Sequence, residues 1–365
     1  MQEPVLGRRI NLLLENILSP FFGLSNGEKQ KLKFLLTVLI GGIKLTYPSL
    51  KLDTSALPDL QRDEFFFLKP LQLVTSEDSR YRCLSFVGKG GNGATFKVVC
   101  EKGKYEGIEF ALKVFYRVSD LERRRRFLRE AGMLASLSHP SIIRLFDRGV
   151  YKTRRNSYPF MIVEFIPSSI RDLLSMSGGA LAPLRAIRCG LQILNALNYI
   201  HTLASPIVHR DIKPENILVA NDFVKLADFG LFREILSEST DRVVGPTTGP
   251  AMPVRYRTPD LIQAAIDGTP PTTASDIYQV GLVLYEMCTG WNPQKQVLPK
   301  DILSPIEISP LRISWTKGDE IVQLISEMLS PEPSMRPTAS ECISRLMEIY
   351  LFLQKSHVDL FNTTA

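Results

Sequence analysis

The stretch His209-Arg210-Asp211-Ile212-Lys213-Pro214-Glu215-Asn216, followed by Asp228-Phe229-Gly230, carries residue types suited to moving a phosphoryl group from ATP onto a hydroxyl. The attacking hydroxyl must be oriented and relieved of its proton, which suits the carboxylate of Asp211, while Lys213 can neutralise charge that builds on the group in transit. Asn216 and Asp228 offer the oxygen ligands that hard Mg²⁺ ions prefer. His-Arg-Asp alone arises by chance. The whole ordered string, at this spacing from Asp-Phe-Gly, is far more specific.

Such groups need a frame that holds the nucleotide. Upstream, Gly88, Gly90 and Gly93 form a G-x-G-x-x-G pattern after the apolar run Cys83 to Val87. Glycines let the backbone turn tightly and bring N–H groups to phosphate oxygens where a Cβ would intrude. The same pattern opens a dinucleotide-binding turn, but that turn leads into a helix. Here Ala94 to Val99 is rich in β-branched and aromatic residues and predicts a second strand.

These strings, in this order, resemble a eukaryotic-type (Hanks-type) serine/threonine protein kinase. The resemblance implies an α+β, two-lobed fold: a small antiparallel β lobe with one helix, and a larger, mostly α-helical lobe. Phe110-Ala111-Leu112-Lys113 stands where the family has V-A-I-K, which makes Lys113 the lysine on the α- and β-phosphates. Its anionic partner is expected to be Glu130, on a helical pattern from about Leu121 to Leu137; an ordinary surface pair of Glu130 with Arg126, one helical turn away, is the competing reading. Phe160 to Val163 reads as a last buried strand. By resemblance the Glu164 carbonyl and the Ile166 N–H then take the adenine edge, with Val163 as gatekeeper.

Later motifs argue for a protein substrate over a small-molecule one. Tyr256-Arg257-Thr258-Pro259-Asp260 stands at the family's A-P-E, Ser275 to Gly281 at its buried F helix, and Arg336-Pro337 at its late arginine. The resemblance implies an Asp260–Arg336 ion pair and an Asp276 that accepts hydrogen bonds from the catalytic-loop backbone. The chain also departs from the pattern. Thr95 replaces the valine that covers adenine, Pro253 stands where a threonine contacts the catalytic Asp and Lys, and Asp260 is one methylene shorter than the usual Glu, which is expected to strain its pair.

Composition agrees with a folded enzyme in a reducing compartment. The chain has 365 residues, 44% of them hydrophobic, with five scattered cysteines lacking C-x-x-C spacing and four histidines. No zinc site or nucleic-acid-binding module is indicated, although the net charge is +6. Much of that charge is local to Arg123–Arg126 and Arg129, read as a solvated helix face or, alternatively, as an aid to Arg210 in holding a phosphate. The apolar run Phe34 to Ile43 falls well short of the roughly 20 residues a spanning helix needs, and a cytoplasmic location is expected. With few residues beyond Leu353, no sensor domain is expected at that end.

The organisation is expected to divide into an extension, 1–75, a catalytic domain, 76–353, and a short tail, 354–365. In the extension, Ile10, Leu13, Leu14, Ile17 and Leu18 share one helical face, and Gly27 to about Leu45 is a second helical pattern. These predict helices that pack locally or serve docking or dimerisation. The function expected is ATP- and Mg²⁺-dependent serine/threonine phosphorylation, including autophosphorylation among Ser237, Ser239, Thr240, Thr247 and Thr248; the alternative is a scaffold that binds partners without catalysis.

Overall fold

Alternation along the strand Gly93–Lys102 turns Ala94, Phe96, Val98 and Cys100 to a buried face, as a period of two requires. In the computed structural model, which describes residues 66–90, 93–231, 233–234, 254–297, 301 and 303–362, this strand is β3. It lies between β2 (Arg80–Lys89) and β4 (Glu109–Phe115). With β1 (Leu73–Thr75), β5 (Leu145–Lys152) and β6 (Ser157–Glu164) they form an antiparallel sheet of order β1-β2-β3-β4-β6-β5. In β4, Phe110, Leu112 and Val114 join β3 in an apolar cluster, so period two sends Lys113 to the opposite face.

The sheet starts ahead of residue 75. Val74 is paired with Tyr81, and Leu68 is buried in the same cluster. The helical patterns expected over Ile10 to Leu18 and over Gly27 to about Leu45 lie outside the described residues.

Helix α1 (Leu121–Ser136) packs beside the sheet. Asp120 caps it, its side chain accepting the Arg123 N–H at 3.0 Å. Phe127, Glu130, Ala131 and Leu134 recur at i, i+3, i+4 and i+7 and are buried, so the glutamate rides on the apolar face.

The larger lobe is mostly helical. It contains the short pair β7 (Ser168–Ser169) and α2 (Ile170–Met176), then α3 (Pro183–His201), with proline in its first turn. Short strands β8 (Ile207–Val208), β9 (Ile217–Ala220), β10 (Phe223–Leu226) and β11 (Arg233–Glu234) flank the catalytic string. Helices α4 (Pro259–Asp267), α5 (Thr273–Thr289), α6 (Gly318–Met328) and α7 (Ala339–Asn362) complete it.

Residues Ser275 to Cys288 of α5 are all buried, as expected of a helix at the centre of a core. Gly281 lets α6 approach: a Cβ there would meet Met328 Cβ and Leu329 Cδ2 at 3.1 Å. The expected α+β organisation in a β lobe and a helical lobe is present. The lobes are joined through backbone, Ile143 N–H donating to Leu226 C=O at 2.9 Å and Leu226 N–H to Ser141 C=O at 2.8 Å.

Candidate active site

Lys113 reaches from β4 to two carboxylates. Its Nζ lies 3.1 Å from Glu130 Oε1 and 3.0 Å from Asp228 Oδ1. The competing surface pair is not formed, since Arg126 engages Glu122. Burial works against the Lys113 cation, but Asp228 and Glu130 outweigh it and hold the pKa above the ordinary lysine value. Conversely, Lys113 holds the Asp228 carboxyl down to about 2, although that side chain is half-exposed. Asp228 has φ +59°, a left-handed conformation that is costly outside glycine and that turns Phe229 into the core. There Phe229 lies 4.4 Å from the His209 ring, centroid to centroid.

The glycine-rich segment leads from one strand, β2, into a second, β3, and not into a helix. Gly88 pairs with Thr95 across β2 and β3, and Gly90 N–H donates to Gly93 C=O at 2.8 Å. A Cβ on Gly93 would lie 2.6 Å from Val114 C=O, so only glycine allows β3 and β4 to approach here. Gly90, Gly93, Thr95, Lys113, Glu130, Asp228 and Gly230 line a cavity of about 150 Å³. Arg123 and Arg126 also border it, whereas Arg125 and Arg129 are exposed, so only part of the arginine run is a solvated face. A larger groove of about 490 Å³, between α6 and α7, contains none of these groups.

Asp211 is buried and held from two sides. Lys213 Nζ lies 3.0 and 2.8 Å from its carboxylate oxygens, and Asn216 Nδ2 donates to Asp211 C=O and Oδ2, each at 2.8 Å. Burial raises the Asp211 pKa, with Lys213 opposing. The amide donor of Asn216 is thereby committed, which orients its oxygen as the group left to accept. Asp228 and Asn216 thus provide one ionised carboxylate and one amide oxygen. That set fits Mg²⁺, which usually takes one or two protein oxygens and fills its shell with water and phosphate. Among the described residues there is no group of three His, Cys, Asp or Glu side chains placed to enclose a metal ion.

Glu164 is the last residue of β6, and its Oε1 accepts Lys225 Nζ at 2.9 Å and the Arg144 N–H at 2.8 Å. Val163 pairs with Ala111, and Val163 and Ile166 pack against the core. Asp260 and Arg336 form two contacts, Nη1–Oδ2 at 2.6 Å and Nη2–Oδ1 at 3.1 Å. The expectation of strain from the shorter carboxylate is therefore corrected: the guanidinium reaches both oxygens and also Ala274 C=O. Pro253 and the five hydroxyl residues expected to carry phosphate lie outside the described residues.

Three buried polar residues of α5 tie the loop down. Asp276 accepts the N–H groups of His209 and Arg210, Gln279 accepts the Ile212 N–H at 2.9 Å and donates to Tyr256 C=O at 2.8 Å, and Glu286 binds Arg171. Gln279 and Glu286 were not singled out by motif. Their signal was an i, i+3, i+10 recurrence of polar residues on one face of an otherwise apolar helix.

Comparison with known proteins identifies the family. The protein kinase domain family matches residues 81–346, and the chain belongs to that family. Its members use ATP and a divalent metal, generally Mg²⁺. The chain is 29% identical, over 282 residues, to a probable serine/threonine-protein kinase of Clostridium perfringens, covering 74% of this chain and 38% of the relative. It is 35% identical to serine/threonine-protein kinase PknB of Mycolicibacterium smegmatis over 170 residues, 46% of this chain and 26% of that protein. A probable serine/threonine-protein kinase of Dictyostelium discoideum is 28% identical over 276 residues, 74% of this chain and 16% of the relative. The chain thus matches well under half the length of each.

Proposed function

We propose that this protein is an active, ATP-dependent serine/threonine protein kinase. The observation that carries the reading is Lys113 joined at once to Glu130 and Asp228, with Asp211, Lys213 and Asn216 on one loop. Lys113 would hold the α- and β-phosphates, Glu130 would keep the lysine extended, and Gly88, Gly90 and Gly93 would let backbone N–H groups approach the triphosphate. The Glu164 carbonyl and the Ile166 N–H would take the adenine edge. Mg²⁺, held by Asp228 and Asn216, would neutralise charge on the phosphates.

Asp211 would orient the substrate hydroxyl and accept its proton as the oxygen bonds to the γ-phosphorus of ATP and the bond from that phosphorus to the bridging oxygen breaks, with ADP as the leaving group; Lys213, already beside that carboxylate, would stabilise negative charge on the transferred group. Burial keeps Asp211 a better base than a solvated carboxylate. Among the described residues no helix is long and apolar enough to cross a membrane, and Cys83, Cys100, Cys189, Cys288 and Cys342 are free and buried. Both accord with a cytoplasmic enzyme. The catalytic unit takes in residues 76–353 together with the strand ahead of them, and the extension is proposed as a docking element on the amphipathic spacing of Ile10 to Leu18 alone.

The test is incubation of purified protein with labelled ATP, Mg²⁺ and a generic protein substrate. Label on serine or threonine, lost with Asp211→Asn, is the expected result. Nucleotide binding without transfer to any protein or to itself would instead establish a non-catalytic scaffold. Phosphopeptide mapping of the active protein should find at least one of Ser237, Ser239, Thr240, Thr247 and Thr248 modified.

A further inference from the structure

Arg171 sits at the start of α2 with all three guanidinium nitrogens engaged. Its Nε lies 2.8 Å from Glu215 Oε1, its Nη1 2.7 Å from Glu286 Oε1, and its Nη2 2.8 Å from the Tyr256 hydroxyl. The Tyr256 hydroxyl in turn donates to Glu286 Oε2. Four segments meet here: α2, the catalytic loop, the residues just ahead of α4, and α5.

Glu215 lies on the same loop as Asp211 and Lys213, and its side chain is 46% exposed, whereas Glu286 is 2% exposed. A peptide that brings a hydroxyl to Asp211 must run over the outer surface of that loop. Two carboxylates and a tyrosine hydroxyl at its border make a receptor for a planar cation, with a half-exposed rim and a buried floor. The chain's own guanidinium already fills that receptor. A peptide arginine would have to displace a tethered competer of the same chemistry, present at high effective concentration. Arg171 is 29% exposed and held by partners on three elements, so displacement breaks every one of those bonds.

We propose that Arg171 is a specificity-determining residue that occupies a two-carboxylate subsite beside the catalytic loop, so that the enzyme does not select a basic side chain next to the acceptor hydroxyl. The inference rests on the kinase reading above. With Arg171 absent, Glu215 would instead favour a basic residue near the target.

The test uses the full chain and peptides with one serine and a single arginine moved through each flanking position. Wild type should phosphorylate them at rates within about twofold of the arginine-free peptide. Arg171→Gln, which frees both carboxylates, should favour arginine at one or more positions by about tenfold, the scale of one charge-assisted hydrogen bond. Adding Glu215→Gln should remove the gain. Binding of the same peptides, fluorescently labelled, is measured by anisotropy with a non-hydrolysable ATP analogue and should show the same tightening in Arg171→Gln. If no variant transfers phosphate, the kinase reading fails while the binding comparison still decides this inference. Should Arg171→Gln fail to fold, Glu215→Gln alone decides: an unchanged arginine profile supports the proposal. A wild-type preference for arginine that Glu215→Gln abolishes overturns it, as does a flat profile in folded Arg171→Gln.

Discussion

Asp276 Oδ1 accepts the backbone N–H of Arg210 at 2.8 Å, and Arg210 is held at φ +72°, in the left-handed region. A non-glycine residue resists that conformation by about 1 kcal/mol or more. The carboxylate, fully buried in α5, secures it, and Oδ2 takes the His209 N–H at 2.9 Å while lying 2.9 Å from His201 Nε2. The backbone just ahead of Asp211 is thus set by a side chain far along the chain. Asp276→Asn offers one oxygen where two accept, and its amide must face an N–H. The variant is expected to lose roughly 2–4 kcal/mol of stability, and kcat should fall more than nucleotide affinity. Denaturant unfolding together with steady-state kinetics checks both.

Asp211→Asn separates chemistry from binding. Turnover should fall about 10²–10⁴-fold, the worth of a general base, while ATP affinity stays within about twofold. Because the folded-state pKa of Asp211 is raised, the native state binds its proton more tightly than the unfolded chain. The ionised group therefore costs stability above its folded pKa, and the cost disappears at lower pH. The variant should then unfold no more easily than wild type at pH 7, and any advantage should vanish under acid conditions. Urea titrations at several pH values test the sign.

Asp228 behaves oppositely. With its pKa held at about 2 by Lys113, it contributes stability above the unfolded carboxylate value of about 4, and that contribution is lost as pH falls through about 2. The acid limb of kcat/KM should accordingly report Asp211, at a pH above the usual carboxylate range, and not Asp228. Asp228→Asn should weaken Mg²⁺-dependent nucleotide binding and leave metal-free binding less affected, as calorimetry with and without chelator would measure.

Arg336 and Asp260 have side chains 0% and 8% exposed. Arg336→Ala leaves a buried carboxylate unpaired and should cost about 3–5 kcal/mol. A marked fall in Tm is expected, and an undiminished Tm would show that the pair is not needed to brace the lobe.

Leu68 tests the small-lobe boundary. Leu68→Ala removes a side chain 1% exposed in the β-lobe cluster, for an expected loss of about 2–5 kcal/mol. A neutral result would place the lobe's edge downstream of it.

Sequence by itself determined the local pieces: which residues carry chemistry, that Ala94 to Val99 is a strand, and that about Leu121 to Leu137 is a helix carrying Glu130. Those follow from side-chain chemistry and from periods of 2.0 and 3.6, which neighbouring residues impose on one another. Only tertiary structure decided which carboxylates meet Lys113, since Asp228 lies 115 residues away in sequence and Arg126 was as near to Glu130 along the helix as any partner. It also decided that Asp260, though short, reaches both ends of a guanidinium, and that Arg171 closes on Glu286, again 115 residues distant. Such pairs depend on how α5 and its neighbours pack. A buried charge must find a partner somewhere, but the partner is whichever group the assembled core brings within about 3 Å.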